Sequence, residues 1–195
     1  EAANDILRVL ELKRDYPAIK MVLVGVSEGW RVADRIAASG VPVIASALND
    51  LPATFGLLGA TQSNIGRMKD AGVKVSIGMI DDRDSHQLRY TTQYAGNLVS
   101  LQKVPRATGL TWDEAFAAIS SGPAEAMGMG DKLGSLKAGR VGDVVVWDGD
   151  PLELSSAPVS VYIDGVEQPL SNRQNRLRDR YRTPQEGNLP KAYEH

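Results

Sequence analysis

Three short apolar runs, each followed by a segment with helical periodicity, constrain the fold of this chain more than any other feature. Residues 20–24 read KMVLV, 41–45 read VPVIA and 73–77 read VKVSI. Runs of this kind, bounded by turn residues, are how buried strands read. Between the first two lies 29–39, with Val32, Ala33, Ile36 and Ala37 on one helical face. Between the second and third lies 61–71, with Ile65 and Met68 facing inward. Each of these helices ends in Gly-Val, at Gly40-Val41 and Gly72-Val73, and glycine supplies the left-handed residue that closes a helix. A strand, a single helix and another strand imply right-handed βαβ units and a parallel sheet. A barrel and an open doubly wound sheet both satisfy that pattern. No glycine-rich phosphate loop follows any of the three runs, which disfavours a nucleotide-binding open sheet. In both folds the functional groups gather at the C-terminal ends of the strands. Here those positions are Ser27 and Glu28, then residues 46–50 with Asp50, then residues 78–86 with His86.

The remaining elements follow from local chemistry. Asn4 or Asp5 caps an opening helix whose apolar face is Ile6, Val9 and Leu10 and which Pro17 ends. Residues 48–59 form a loop rich in Pro, Gly and Asn. Residues 87–102 form a helix with Leu88, Leu98 and Leu101 among its apolar positions. Thr111-Trp112-Asp113-Glu114 is a capping box, and Pro123 stands at the first position of a short helix. Asp164-Gly165, between 160–163 and 166–168, is a strong hairpin signal. Residues 171–182 form an arginine-rich helix tied down by Leu177 and Tyr181, and 183–195 are irregular. With Tyr181 as its one aromatic, that helix reads as a solvated element and not as a nucleic-acid platform.

Composition narrows the function classes. The chain is 43% hydrophobic and 24% charged with a net charge of −2, ordinary for a globular protein and with no global field that favours nucleic acid. No apolar run approaches the length of a membrane span. The absence of cysteine excludes disulfides and cysteine-ligated metal and fits cytoplasm or periplasm alike. The sequence begins at Glu1, in residues that resemble neither a signal peptide nor a tag, so an interior starting point is expected.

The most distinctive wording lies in residues 133–152. Leu133-Gly134-Ser135-Leu136-Lys137-Ala138-Gly139-Arg140 is followed by Gly142-Asp143-Val144-Val145-Val146-Trp147 and Gly149-Asp150-Pro151-Leu152. Physically this is a strand, 144–147, buried on both faces between two turns and too apolar to be an exposed edge. As wording it resembles the signature that closes many enzymes of the amidohydrolase superfamily. Lys137 stands for the usual acid, Arg140 for lysine and Gly142 for alanine. Residues 109–127 and the 160–168 hairpin are also similar to that family, with Gly122 where asparagine is usual. The likeness spans roughly 73–168 and is nearest to imidazolonepropionase- and prolidase-like members.

The resemblance implies an α/β fold, the C-terminal part of a (β/α)8 TIM-type barrel plus part of a small β-sandwich domain. Residues 1–130 then supply barrel strands and helices, 131–170 a β-domain segment, and 171–195 a C-terminal helix and tail. Family members hydrolyse C–N bonds of amides and cyclic amides with a water activated by zinc or another divalent metal, while a carboxylate takes the proton. Their ligands are a His-x-His pair on the first strand, Lys or Glu on the fourth and His on the fifth and sixth. An Asp on the eighth is usually the base. The three runs here resemble strands six to eight, so the His-x-His strand is not in this chain. The first run ends Gly25-Val26-Ser27-Glu28, without histidine. On this matching Asp81 and Asp82 are the candidate catalytic and metal-binding carboxylates, against a solvated acidic loop that Arg83 neutralises. Glu28 is a substituted ligand or substrate contact, against a residue that favours a helix N-terminus. His86 is a candidate substrate contact, against a hydrogen bond at a helix start.

The expected function is thus the C-terminal part of a hydrolase acting on a small amide-type substrate, inactive as this polypeptide alone. The missing strands are expected from an upstream segment, a second chain or a homo-oligomer that covers the 20–24 edge. The competing expectation is a catalytically silent relative that acts as a binding or structural subunit. Neither involves nucleic acid or a membrane span, and the substrate is not legible.

Overall fold

Two sheets of opposite character organise the chain. The structure, a computed structural model, describes residues 1–80 and 86–182. The first sheet holds β1 (Leu23–Val24), β2 (Val43–Ala45) and β3 (Val75–Ile77) in the order β1-β2-β3. Both pairings are parallel, with Leu23 beside Val43 and Val43 beside Val75 in one row. The expected parallel arrangement is present, with shorter strands. Pro42 has no N–H to give, so β2 begins one residue later, although the Pro42 carbonyl still accepts from Leu23 N at 3.0 Å.

The helices between the strands behave as the sequence implies. α1 (Ala3–Asp15) has an acid in its first turn and Lys13 and Arg14 in its last, matched to the helix dipole. Lys13 Nζ also donates to the carbonyls of Pro17 and Ile19. A 3-10 turn leads into α2 (Ala33–Ser39), which Gly40 closes at φ 67°. α3 (Asn64–Asp70) follows β2. Ile36, Ile65 and Met68 from α2 and α3 meet Val43, Ala45 and Ile77 of the sheet in one buried core. Gly29 lets the chain pass so close to Met68 that a Cβ there would lie 2.6 Å from its sulfur.

Three further helices complete this body: α4 (Thr91–Leu101), α5 (Trp112–Ile119) and α6 (Ser121–Ala126). The predicted capping box is formed in full at the start of α5. Thr111 accepts from Glu114 N, and the Glu114 carboxylate takes the Thr111 N–H at 3.0 Å and its hydroxyl at 2.9 Å. Those bonds, the Thr111 N–H foremost, outweigh burial and hold the Glu114 carboxyl below the usual carboxylate range, with the Lys69 charge assisting. α6 packs against β2 and β3. A 320 Å³ cleft near it, lined by Pro42, Lys74, Ser76 and Gly122, opens at the N-terminal ends of the strands.

The second sheet is antiparallel, β4 (Val144–Trp147), β5 (Pro158–Ile163) and β6 (Val166–Gln168) in that order. Asp164 and Gly165 turn β5 into β6 with φ values of 51° and 75°, the double positive φ of the tightest hairpin. One expectation changes here. β4 is an edge strand with one paired side, and Val145 and Val146 are 46% and 45% exposed. Its apolar sequence reflects a pleated surface with no second sheet over it among the described residues. α7 (Arg173–Arg182) follows and buries none of its residues, and Tyr181 is exposed, so the expected tether through Leu177 and Tyr181 is not made.

The two lobes are joined by the turn after β4. Asp150 accepts from Trp112 Nε1 with both oxygens, at 3.0 and 2.9 Å, and from Leu152 N at 2.9 Å. That turn drives Leu152 into the helical core. Gly96 of α4 makes the seat, since a Cβ there would run into the Leu152 carbonyl.

Candidate functional site

The C-terminal ends of β1, β2 and β3 bring a set of polar groups to one rim. After β1 the backbone turns through Gly25 at φ 94° and Val26 at φ 50°. A left-handed β-branched residue is strained by about 1–3 kcal/mol, and such outliers concentrate where the surrounding structure fixes a functional segment. The turn frees successive N–H groups. Ser27 N donates to Glu1 Oε2 at 2.8 Å and Glu28 N to the Glu1 carbonyl at 3.2 Å. The Glu1 carboxylate lies over Gly25, where any Cβ would collide with it.

Ser27 is buried, and its hydroxyl accepts from Asn49 Nδ2 at 3.1 Å, which links the end of β1 to the end of β2. Its partner is an amide and not an imidazole, so Ser27 is not arranged as an activated nucleophile. Glu28 is 7% exposed and fully engaged. One oxygen accepts from Ala3 N at 3.0 Å, and the other from Gly59 N at 2.8 Å and from Arg31 at 3.3 Å. The Ala3 N–H foremost, then those of Gly59 and Arg31, hold this carboxyl below the usual range against the opposing effect of burial. The 48–59 loop is thereby tied to α1 through one side chain.

A further layer supports the rim. Asn64, buried, accepts from Trp30 N at 2.9 Å and donates to the Val26 carbonyl at 3.1 Å, fixing the strained turn. Trp30 donates to the Gly59 carbonyl at 2.7 Å, and Arg67 lies 4.5 Å from its ring centre. Trp30 is thus a packing residue of the rim.

The rim brings Glu28 together with Ser27, Asn49 and Glu1. His86 and Asp50 are exposed and make no part of that network. Asp81 and Asp82 lie outside the described residues. Two participants, Asn64 and Glu1, escaped sequence reasoning, and Asn49 lies within the marked 46–50 segment without being singled out. Asn49 sits in the segment after the second run and was findable by position. Asn64 and Glu1 had no signal, since neither belongs to a motif and Glu1, just before α1, reaches Ser27 across 26 positions of sequence. Of these groups Glu1 is exposed and Asn49 half-buried, whereas Ser27 and Glu28 are buried and engaged. Among the described residues no three His, Asp or Glu side chains are grouped to hold a metal ion.

The comparisons with known proteins are consistent in one direction. The model of the Amidohydrolase family matches residues 18–167. Over 60 residues the chain is 50% identical to amidohydrolase tasK of Hapsidospora irregularis, covering 31% of this chain and 6% of that protein. Over 127 residues it is 31% identical to the imidazolonepropionase of Bacillus velezensis, covering 65% of this chain and 27% of that protein. Among solved structures, an amidohydrolase from Thermotoga maritima MSB8 shares the fold with a TM-score of 0.72 at 24% identity, covering 85% of this chain and 41% of that one. The chain therefore spans less than half the length of each of these relatives.

Proposed function

We propose, for a chain that belongs to the amidohydrolase family, that it forms the C-terminal portion of an enzyme hydrolysing carbon–nitrogen bonds. In this reading β1, β2 and β3 are strands six to eight of a (β/α)8 barrel, and the antiparallel sheet is part of a β-sandwich beside it. The observation that carries the reading is that one family model matches residues 18–167, from the approach to β1 into β6. Consecutive parallel strands with a helix between each pair are also what successive barrel units look like.

Amidohydrolases are generally metal-dependent. The described residues alone do not fit a metal, because the two Glu28 oxygens already hold backbone N–H groups and no three His, Asp or Glu side chains are grouped among them. We assign the proton-accepting role to Asp81 or Asp82, which follow β3 in the chain, and substrate contact to His86 and Glu28. Glu28 would act from a carboxylate already pinned by Ala3 and Gly59. The substrate class is a small amide or cyclic amide. That pinned Glu28, standing where the resemblance expects a histidine ligand, is the observation that favours the second reading, a catalytically silent binding or structural subunit.

The test is metal analysis and a screen of amide, Xaa-Pro dipeptide and cyclic-amide hydrolysis. It is run on the chain alone and with the remaining barrel strands supplied. The expected result is turnover only in the completed barrel, with D81N or D82N lowering kcat by about 10²–10⁴-fold. Wild-type turnover in D81N/D82N would remove the assignment of the base. A completed barrel with neither metal nor turnover would select the silent reading.

A further inference from the structure

The start of α1 is stitched to the end of β1. Glu28 N donates to the Glu1 carbonyl at 3.2 Å, Ser27 N to Glu1 Oε2 at 2.8 Å, and Ala3 N to Glu28 Oε2 at 3.0 Å. These bonds fix Glu1 on the same rim as Glu28, and Ser27 joins that rim to Asn49. α1 therefore sets out from the C-terminal ends of the strands, as the helices after β1 and β2 do.

The two carboxylates on this rim differ in what they have left to give. In Glu28 one oxygen holds the Ala3 N–H, and the other holds the Gly59 N–H and the Arg31 guanidinium, so its hydrogen bonds and its charge are both answered. The Glu1 carboxylate takes a single bond, from Ser27 N, and its Oε1 takes none among the described residues. No Lys, Arg or His among the described residues pairs with it. A carboxylate is a pure acceptor with about four lone-pair positions, so most of the capacity of Glu1 is unused. Its seat is nevertheless shaped to it. Gly25 at φ 94° lies under Oε1, where a Cβ would collide, and the Val26 turn at φ 50° leads into the Ser27 N–H that orients the other oxygen.

We propose that Glu1 is a substrate contact of the rim, and that its carboxylate binds a protonated amine on the substrate. The assignment rests on the hydrolase reading above, in which β1 is strand six, so α1 follows strand five and Glu1 stands at the mouth of the barrel. It narrows the small amide substrate to one that carries a cationic nitrogen apart from the bond that is cleaved. A charged donor is selected because its bond to a carboxylate is about twice as strong as that of a neutral one. A divalent metal fits less well, since no three His, Asp or Glu side chains are grouped to hold one among the described residues. The backbone bond from Ser27 aims Glu1 without neutralising it, and Glu28 supports the rim beside it.

The test uses the completed barrel and two compounds of one shape, an aminoacyl anilide and its hydroxyacyl counterpart. Binding is read by calorimetry, and hydrolysis by kcat and KM. The wild type is expected to bind the aminoacyl compound about 10–100-fold more tightly. Glu1→Gln keeps an oxygen for the Ser27 N–H and removes the charge. It should melt as the wild type does and lose that 10–100-fold preference, through KM more than kcat. A preference lost in Glu1→Gln, with no turnover by either protein, would keep the contact and remove the hydrolase reading. Turnover without a preference for the amine, a preference that Glu1→Gln retains, or no binding of either compound would overturn the contact. So would a Glu1→Gln protein that melts lower and binds both compounds as the wild type does, since Glu1 would then be a structural tie alone.

Discussion

Leu152→Ala is expected to destabilise the chain by about 2–5 kcal/mol, the range for truncating a fully buried leucine that leaves a cavity. Leu152 is 6% exposed and is the one residue of the antiparallel lobe in the buried core among the described residues. Everything around it is shaped to hold it. Asp150 orients its backbone, Trp112 orients Asp150, and Gly96 clears the space for its carbonyl. Gly96→Ala should therefore be comparably harmful for a different reason, since its methyl group meets backbone that cannot rotate away. The double variant should fall short of the sum, because both changes break the same joint. Urea titration checks this through the midpoint and slope of each variant. A Leu152→Ala midpoint within error of wild type would mean that the lobes are not joined through this residue.

The second large effect is at Glu28. Glu28→Gln should cost about 1–3 kcal/mol, because one carboxylate oxygen is replaced by an NH2 that faces a backbone donor from Ala3 or Gly59. The pH dependence has a definite sign. The folded-state value lies below the ordinary one, so the contribution is complete above the unfolded value of about 4.3 and is lost as pH falls through the lower folded value. Thermal melts across acid pH should show a shallower acid limb for Glu28→Gln than for wild type. They should not show a flat one, since Glu114 titrates in the same direction. Parallel limbs for the two proteins would show that Glu28 is not ionised in its pinned position.

Much of the architecture was readable because period and punctuation agreed. Gly40-Val41 and Gly72-Val73 each end a helix and open a strand, and Thr111 to Glu114 is a complete cap written in four letters. Asp164-Gly165 named its own turn. The failures have physical causes. The apolar run Val144–Trp147 implies a doubly buried strand, yet such a run reports what a strand tolerates on its faces, not what covers them in one chain. Leu177 and Tyr181 have helical spacing, yet spacing offers an anchor without supplying the surface to receive it. At the rim, Glu28 was visible as a residue after a strand. Its two backbone hydrogen bonds were not, because they come from α1 and from the loop after β2, far away in sequence, and only the Arg31 contact is local.

The contrast between the two sheets has a kinetic consequence. In the antiparallel lobe Ile163 meets Val166 across a two-residue turn, a short loop to close. In the parallel sheet Leu23 meets Val43, and Val43 meets Val75, so each pairing waits for an intervening helix to form and pack. Loop-closure entropy and contact order therefore separate the two in time, with the hairpin as the early structure and the parallel core as the slow one. Pulsed hydrogen exchange during refolding should show Val166 and Ile163 amides protected before those of Val43 and Val75, and the reverse order would exclude a hairpin-first route. Until that slower step, β1 and its neighbours remain unpaired apolar segments, which makes refolding concentration, more than final stability, the setting that decides yield.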